Sequence, residues 1–332
     1  MRLLNIQKIF CCLSIGAAIF ILPTKAHAFI DEDRISRSKA LAHYIMGQVF
    51  DLNGQSSQAV EEYKAAADFD EANYWVHLRL GLSYARMNKL ADTLREFQSA
   101  QQYNPDDMQS HYWLARIYSN LKEYDRAAEE YEIILKKLVK AEPQNTEVYG
   151  YLGQLYYSQK KYNQAIEQFE KMLQLDPKNA SVLYLLGSLY FEVGQKQKAI
   201  DALAKSIQLD PKDDGSLNTL GYIYAENNDR LDEALDLVNR ALQISPNNGA
   251  YLDSLGWVYY KKGMYDKALE VLKKADVAMK DPVIYSHLGD VCYKMNRFED
   301  AAKYWQLSLQ MQPDQKEIIR KLESIKNFQA SR

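Results

Sequence analysis

The side chains best suited to chemistry in this sequence are aromatic and cationic, and they recur in step. Tyr44, Tyr112, Tyr157, Phe191, Tyr222, Trp257, Tyr260 and Tyr293 fall at helical spacings around a repeated glycine, interleaved with Arg79, Arg86, Arg116 and Asn120. Rings with polar tips offer large contact area at low entropic cost, which suits recognition of an extended peptide. Guanidinium groups can fix a carboxylate of such a segment. A plainer reading stands beside each of these. A ring can pack against the next helix, and an arginine can lie on a solvated face paired with nearby acids. Glu226, Asp253 and Asp290 make the far end of the series acidic, so a partner with an acidic front and a basic rear would be steered into register.

Other constellations lead nowhere. His43, His77 and His111 are each 34 residues apart, but helices stack about 10 Å apart, too far for easy shared metal ligation. Asp210–Gly215 superficially resembles a calcium loop, yet Lys212 stands where an oxygen ligand is required. No nucleophile with its base, phosphate loop or paired-carboxylate site is set apart from the repeat pattern. The chain is expected to be no enzyme and to need no cofactor or metal.

The elements that position these residues follow from the glycines. Gly47, Gly81, Gly153, Gly187, Gly221, Gly256 and Gly289 recur with a period near 34, and Ala115 fills the one double gap. Each sits in a stripe such as Leu80-Gly81-Leu82-Ser83-Tyr84 or Leu220-Gly221-Tyr222-Ile223-Tyr224, whose apolar residues share one helical face. A second stripe follows on a second helix, with Ala165, Phe169 and Met172 as one instance. Gly54, Asn88, Gly194, Gly263 and Asn296 stand where the first helix must end in a left-handed residue. Every proline after Pro23, from Pro105 to Pro313, falls at a repeat boundary. A small residue at this period predicts helices that pass close together at the same point in every repeat.

The order of Leu-Gly-x2-Tyr, Ala-x3-Phe and Pro over 34 residues resembles the tetratricopeptide repeat (TPR) signature. The resemblance covers about residues 40–313 as eight consecutive repeats. It implies an all-α, right-handed superhelical solenoid whose first helices line a concave groove. Four extra residues near Lys136–Pro143 predict one more turn on the second helix of the third repeat, and one extra residue lies near Asp229–Asp232. Ile318, Leu322 and Ile325 make 314–332 a C-terminal capping helix and tail. Phe29–Arg37 reads as loose, within an N-terminal extension over 29–39. Two known TPR ligand patterns are missing. Tyr44, Leu78 and Tyr112 stand where the chaperone-tail clamp needs its key residue, and Arg79, Trp113, Tyr151 and Leu185 interrupt the asparagine ladder of glycosyltransferase-linked repeats.

Residues 1–28 form a separate segment. Arg2 and Lys8, the apolar run Ile9–Leu22 and Ala26-His27-Ala28 describe a secretory signal peptide cut before Phe29. The run is shorter than the roughly 20 residues of a spanning helix. Cleavage removes three of the 41 basic residues and none of the 44 acidic ones, taking the net charge from −3 to −6. That charge carries no nucleic-acid signature. Cleavage also removes two of the three cysteines and leaves Cys292, so no internal disulfide is expected. The chain therefore reads as a periplasmic or secreted scaffold or assembly factor of a bacterial envelope that binds a protein or peptide segment. It would touch membrane only through a partner or an uncleaved signal. The alternatives are a polysaccharide-associated protein of an export system and a regulatory subunit of an envelope enzyme.

Overall fold

In the computed structural model, residues 32–330 are described, with side chains over 34–325. They form 17 helices and no strand, an all-α repeat solenoid. The chain divides into two compact units between Leu114 and Ala115, inside α5 (Met108–Asn120). The first unit holds α1 (Glu32–Leu52), α2 (Ser56–Phe69), α3 (Tyr74–Arg86) and α4 (Leu90–Tyr103). The second continues with α6 (Tyr124–Ala141), α7 (Thr146–Ser158), α8 (Tyr162–Leu175), α9 (Ala180–Glu192), α10 (Lys196–Leu209) and α11 (Asp214–Glu226). It ends with α12 (Leu231–Ile244), α13 (Gly249–Lys261), α14 (Tyr265–Ala278), α15 (Pro282–Lys294), α16 (Phe298–Met311) and α17 (Lys316–Ala330).

Each repeat is a helical hairpin, and its turn is dictated by how the first helix ends. The backbone N–H five residues beyond the signature tyrosine returns to that tyrosine's carbonyl, as Lys89 does to Tyr84 at 3.0 Å and Gln195 to Tyr190 at 2.7 Å. Closing that bond places the intervening residue in the left-handed region, where glycine is cheapest. Gly54, Asn88, Gly194, Gly263 and Asn296 all occupy it, and so do Lys122, Lys160 and Asn228. The two lysines pay a Cβ penalty of about 1–2 kcal/mol for the same turn. Arg230 at φ 45° absorbs the extra residue of the sixth repeat within the turn. The four-residue insertion lengthens α6 to 18 residues against 14 for the other second helices.

The close approach is carried by the glycines. A Cβ on Gly81 would meet the Phe97 ring at 2.8 Å, and one on Gly187 would meet Leu203 Cγ at 2.5 Å. Gly47 faces Tyr63, Gly153 Phe169, Gly256 Leu272 and Gly289 Trp305, always 16 residues on. Gly221 faces Val238, one place later because of the insertion. These large partners are the buried core, with Tyr63, Phe97, Phe169, Leu203, Leu272 and Trp305 all at most 2% exposed.

The N-terminal boundary needs correction. Phe29–Arg37 is not loose from Glu32 onward, because α1 starts there and runs 21 residues. Its added turns are tied to the end of α2 by Ser36 Oγ donating to the Phe69 carbonyl at 2.8 Å and by Lys39 Nζ 5.2 Å from the Phe69 ring centroid. The signal segment lies outside the described residues. At the other end, α17 buries Ile318 and Ile325 in a cluster with Trp305 and Leu288, and Leu322 packs against it.

The histidine row is a packing device. His77 Nδ1 lies 2.8 Å from the Glu96 carboxylate, and its Nε2 donates to the Glu71 carbonyl at 2.8 Å. His111 and Tyr149 reach the Pro105 and Pro143 carbonyls in the same way, six residues back. No cluster of metal-ligating side chains exists among the described residues. Burial disfavours the charged His77 ring, but Glu96 and the Glu71 carbonyl outweigh burial and hold its pKa above the ordinary 6.5. This stabilisation is fully present below about pH 6.5 and is lost as pH rises through the higher folded value. The thermal midpoint should therefore fall between about pH 6 and pH 8, and His77→Gln should flatten that slope. An unchanged slope in the variant contradicts the assignment.

Candidate functional site

The first helices carry the expected site residues, and each unit shows its own pattern. In the first unit, Asp51 near the end of α1 organises the surface. Its carboxylate, 6% exposed, accepts from Tyr63 at 3.1 Å, from Ser83 at 3.0 Å and from Arg86 at 2.5 Å. Arg86 therefore ties α3 to α1, the paired reading offered by the sequence in place of a guanidinium held for a partner's carboxylate. Arg79 is half-buried, and its Nε finds no acceptor among the described residues. Tyr44 is half-buried, accepts from Gln48 at 3.1 Å and tilts against Tyr63. Tyr112 is half-buried and sets its edge to Trp113 at 5.7 Å.

In the second unit, Arg116 and Asn120 of α5 are exposed. Tyr157 is 57% exposed and leans on Tyr162 at 5.9 Å. α9, α11, α13 and α15 pack successively, each first helix against the next. That contact brings Phe191 edge-on to Tyr222 at 6.1 Å, and both remain half-buried. Tyr260 is also half-buried, and Tyr293 is 40% exposed.

Trp257 departs from the sequence reading. It is only 7% exposed, with His287 stacked at 4.0 Å on one side and Tyr260 at 4.6 Å. Its Nε1 donates to Glu226 at 2.7 Å. Covered in this way, the ring is no open stacking platform for a sugar or a peptide, although it still contributes to the lining of a cavity. The physical reason lies in the repeat: Trp257 sits one place after Gly256, where the next first helix, α15, closes over it.

The acidic end is corrected as well. Asp253 is 7% exposed and paired with His287 Nδ1 at 2.9 Å. Asp290, 9% exposed, accepts from Lys321 at 2.8 Å and from Trp305 Nε1 at 3.2 Å. Lys261 approaches Glu226 at 3.9 Å. The acids are largely neutralised by neighbours, so charge steering by a bare acidic end is lost.

What these residues do form is a cavity of about 440 Å³ between α13, α15 and α17. Tyr260, Tyr293, Trp257 and Trp305 supply its aromatic lining, with Glu226, Asp290, Lys261 and Lys321 as its polar part. The Tyr260 hydroxyl is pushed up to about 12 by burial, then by Asp290 and Tyr265, so the ring stays neutral at neutral pH. Lys321 keeps its charge despite burial, because Asp290 and Glu317 raise its pKa. Lys321 escaped the sequence reading, which gave α17 only a covering role. A signal for it exists. Lys321 follows Asp290 by 31 residues, the step that also relates Glu226 to Trp257. Treating 316–330 as one more first helix places Lys321 at the cavity.

Known proteins resemble this chain in sequence and in fold. The Hsp70-Hsp90 organising protein of Plasmodium falciparum is 35% identical over 100 residues, covering 29% of this chain and 18% of that protein. The BBSome complex member BBS4 of Bos taurus is 22% identical over 126 residues, covering 38% and 24%. The chain thus spans less than a quarter of the length of these curated relatives. Among solved structures, the APC/C hetero-tetramer Cut9-Hcn1 superposes with a TM-score of 0.54 at 17% identity, covering 81% of this chain and 52% of that one. That likeness shows the fold. Residues 91–321 match the family model of the cilia and flagella-associated protein 70 C-terminal domain, and the chain belongs to that family of TPR-type repeat proteins.

Proposed function

We propose that this chain is a non-enzymatic interaction scaffold that holds a partner segment against the first-helix face of its second unit. Solenoids of this fold present repeated first-helix surfaces to peptide or protein partners. The observation that carries the reading is the cavity beside α17. Tyr260 and Tyr293 remain open to a ligand there, while Glu226 pairs with Lys261 and Asp290 with Lys321, and Lys294 completes an equal number of acids and lysines in the lining. A surface of open rings and internally compensated charge favours a neutral, apolar or aromatic segment over a strongly charged one. Catalysis has no support at this site, whose titratable groups serve as rivets between helices. The glycan alternative loses Trp257 as an open stacking ring, because Tyr260 and His287 stack on it.

Tyr293→Ala and Tyr260→Ala are the direct test, read on peptides selected from a random display library against the whole chain. Each should weaken binding about tenfold or more, in line with aromatic anchors at interface centres, with helicity unchanged. Peptide binding that survives both changes removes this surface from consideration.

We further propose that the scaffold works in the periplasm or outside the cell, as part of a bacterial envelope assembly. The support is the sequence over residues 1–28, a basic start, an apolar run and Ala26-His27-Ala28. The mass of the protein recovered from its native host should correspond to a chain beginning at Phe29. Recovery with Met1–Ala28 still attached contradicts export by cleavage.

A further inference from the structure

The outer face of α1 is apolar and uncovered. Leu41, Ile45, Met46, Val49 and Leu52 are between 44% and 87% exposed, and Ile35 is 43% exposed. The corresponding face of α3 shows what such a surface requires. Val76 and Leu80, 34 residues after Ala42 and Met46, are 1% and 3% exposed because α2 packs over them. No helix covers α1 in this way among the described residues. Its face runs Ile35, Ser38, Ala42, Ile45, Val49, Leu52, alternating steps of three and four. That spacing is the a/d seam of a helix pair, here about 25 Å long.

We infer that this face docks a second copy of the chain, α1 against α1 in antiparallel fashion about a two-fold axis. Residue sizes favour self-pairing. With the axis between residues 43 and 44, Ala42 meets Ile45 of the other copy, Ser38 meets Val49, and Ile35 meets Leu52. Two of the three layers set a small side chain opposite a branched one, which lets the seam close without voids. An isologous contact needs this self-complementarity. The antiparallel sense also brings Arg34 beside the carbonyl end of the opposite helix, where positive charge is favoured. The six large side chains present on the order of 500 Å² of apolar surface, more than half of the roughly 800 Å² per partner that a standard interface buries.

The test is the mass of the chain beginning at Phe29, by sedimentation velocity at micromolar concentration. Twice the chain mass is expected, halved by Ile45→Glu with Val49→Glu. Both positions are exposed, so far-UV circular dichroism should not change. Register is read by disulfide trapping. Ala42→Cys with Ile45→Cys should give a covalent dimer on mild oxidation, whereas Ile35→Cys with Ser38→Cys should not. A monomeric chain, a dimer that survives the glutamates, or equal trapping by both cysteine pairs overturns the inference. So does a monomer whose α1 face is protected only when the 1–28 segment is attached, which would make that segment the occupant.

Discussion

The approach of two helices at one backbone point per repeat governs the rest of this molecule. A glycine near the middle of each first helix lets the large side chain 16 residues later lie directly on its backbone. With that contact made, alanines such as Ala59, Ala165 and Ala268 can pack fully buried on the facing helix. The hairpin turn then has one closing geometry, and the left-handed residue is forced on whatever side chain stands there. Lys122 and Lys160 adopt it without glycine's freedom, so hairpin packing outweighs the local preference. The third repeat substitutes Ala115, fully buried, for the glycine.

The same closeness decides the fate of the residues just off the glycine. Successive first helices in the second unit pack against one another, so a residue at that level is shared between two repeats. Trp257 illustrates the result. Its position on the helix face is the one a groove residue should have, but the next helix stacks His287 on it. Tyr222, Tyr260 and Tyr293 escape full burial by degrees, and with the more exposed Tyr157 they retain surface for a partner. Most core tyrosines, by contrast, spend their polar tips within the fold. Tyr118 and Tyr224 accept from Arg126 and Arg230, and Tyr156 and Tyr190 donate to Glu132 and Glu170.

This explains which parts of the account were legible in the sequence. Periodicity reports local spacing, and the fold is a sum of local spacings. The helical hairpins, their turns, the longer α6 and the buried face of α17 therefore follow from residue types at fixed offsets. Pairing between repeats is non-local and depends on side-chain direction. Nothing in the spacing of Arg86 announces that Asp51 lies 2.5 Å away, or that Asp253 faces His287. Arg86 is lost to a partner, and the acidic end is paired, for that reason. The start of α1 was missed for a related one, because Ser36 and Lys39 are held by the end of α2, which their own neighbours in sequence do not reveal.

Gly289→Ala tests the central constraint most directly, because two forces there act with opposite sign. Helix propensity alone favours alanine over glycine in a helix interior by about 1 kcal/mol. The close approach opposes it, since the added methyl would fall inside the Trp305 indole, a fully buried ring with no flexible end to move. Urea unfolding of the variant should show a net loss of about 1–2 kcal/mol, the upper part of the usual overpacking cost of about 1–3 kcal/mol less the propensity gain. A variant as stable as the parent, or more stable, would contradict the account.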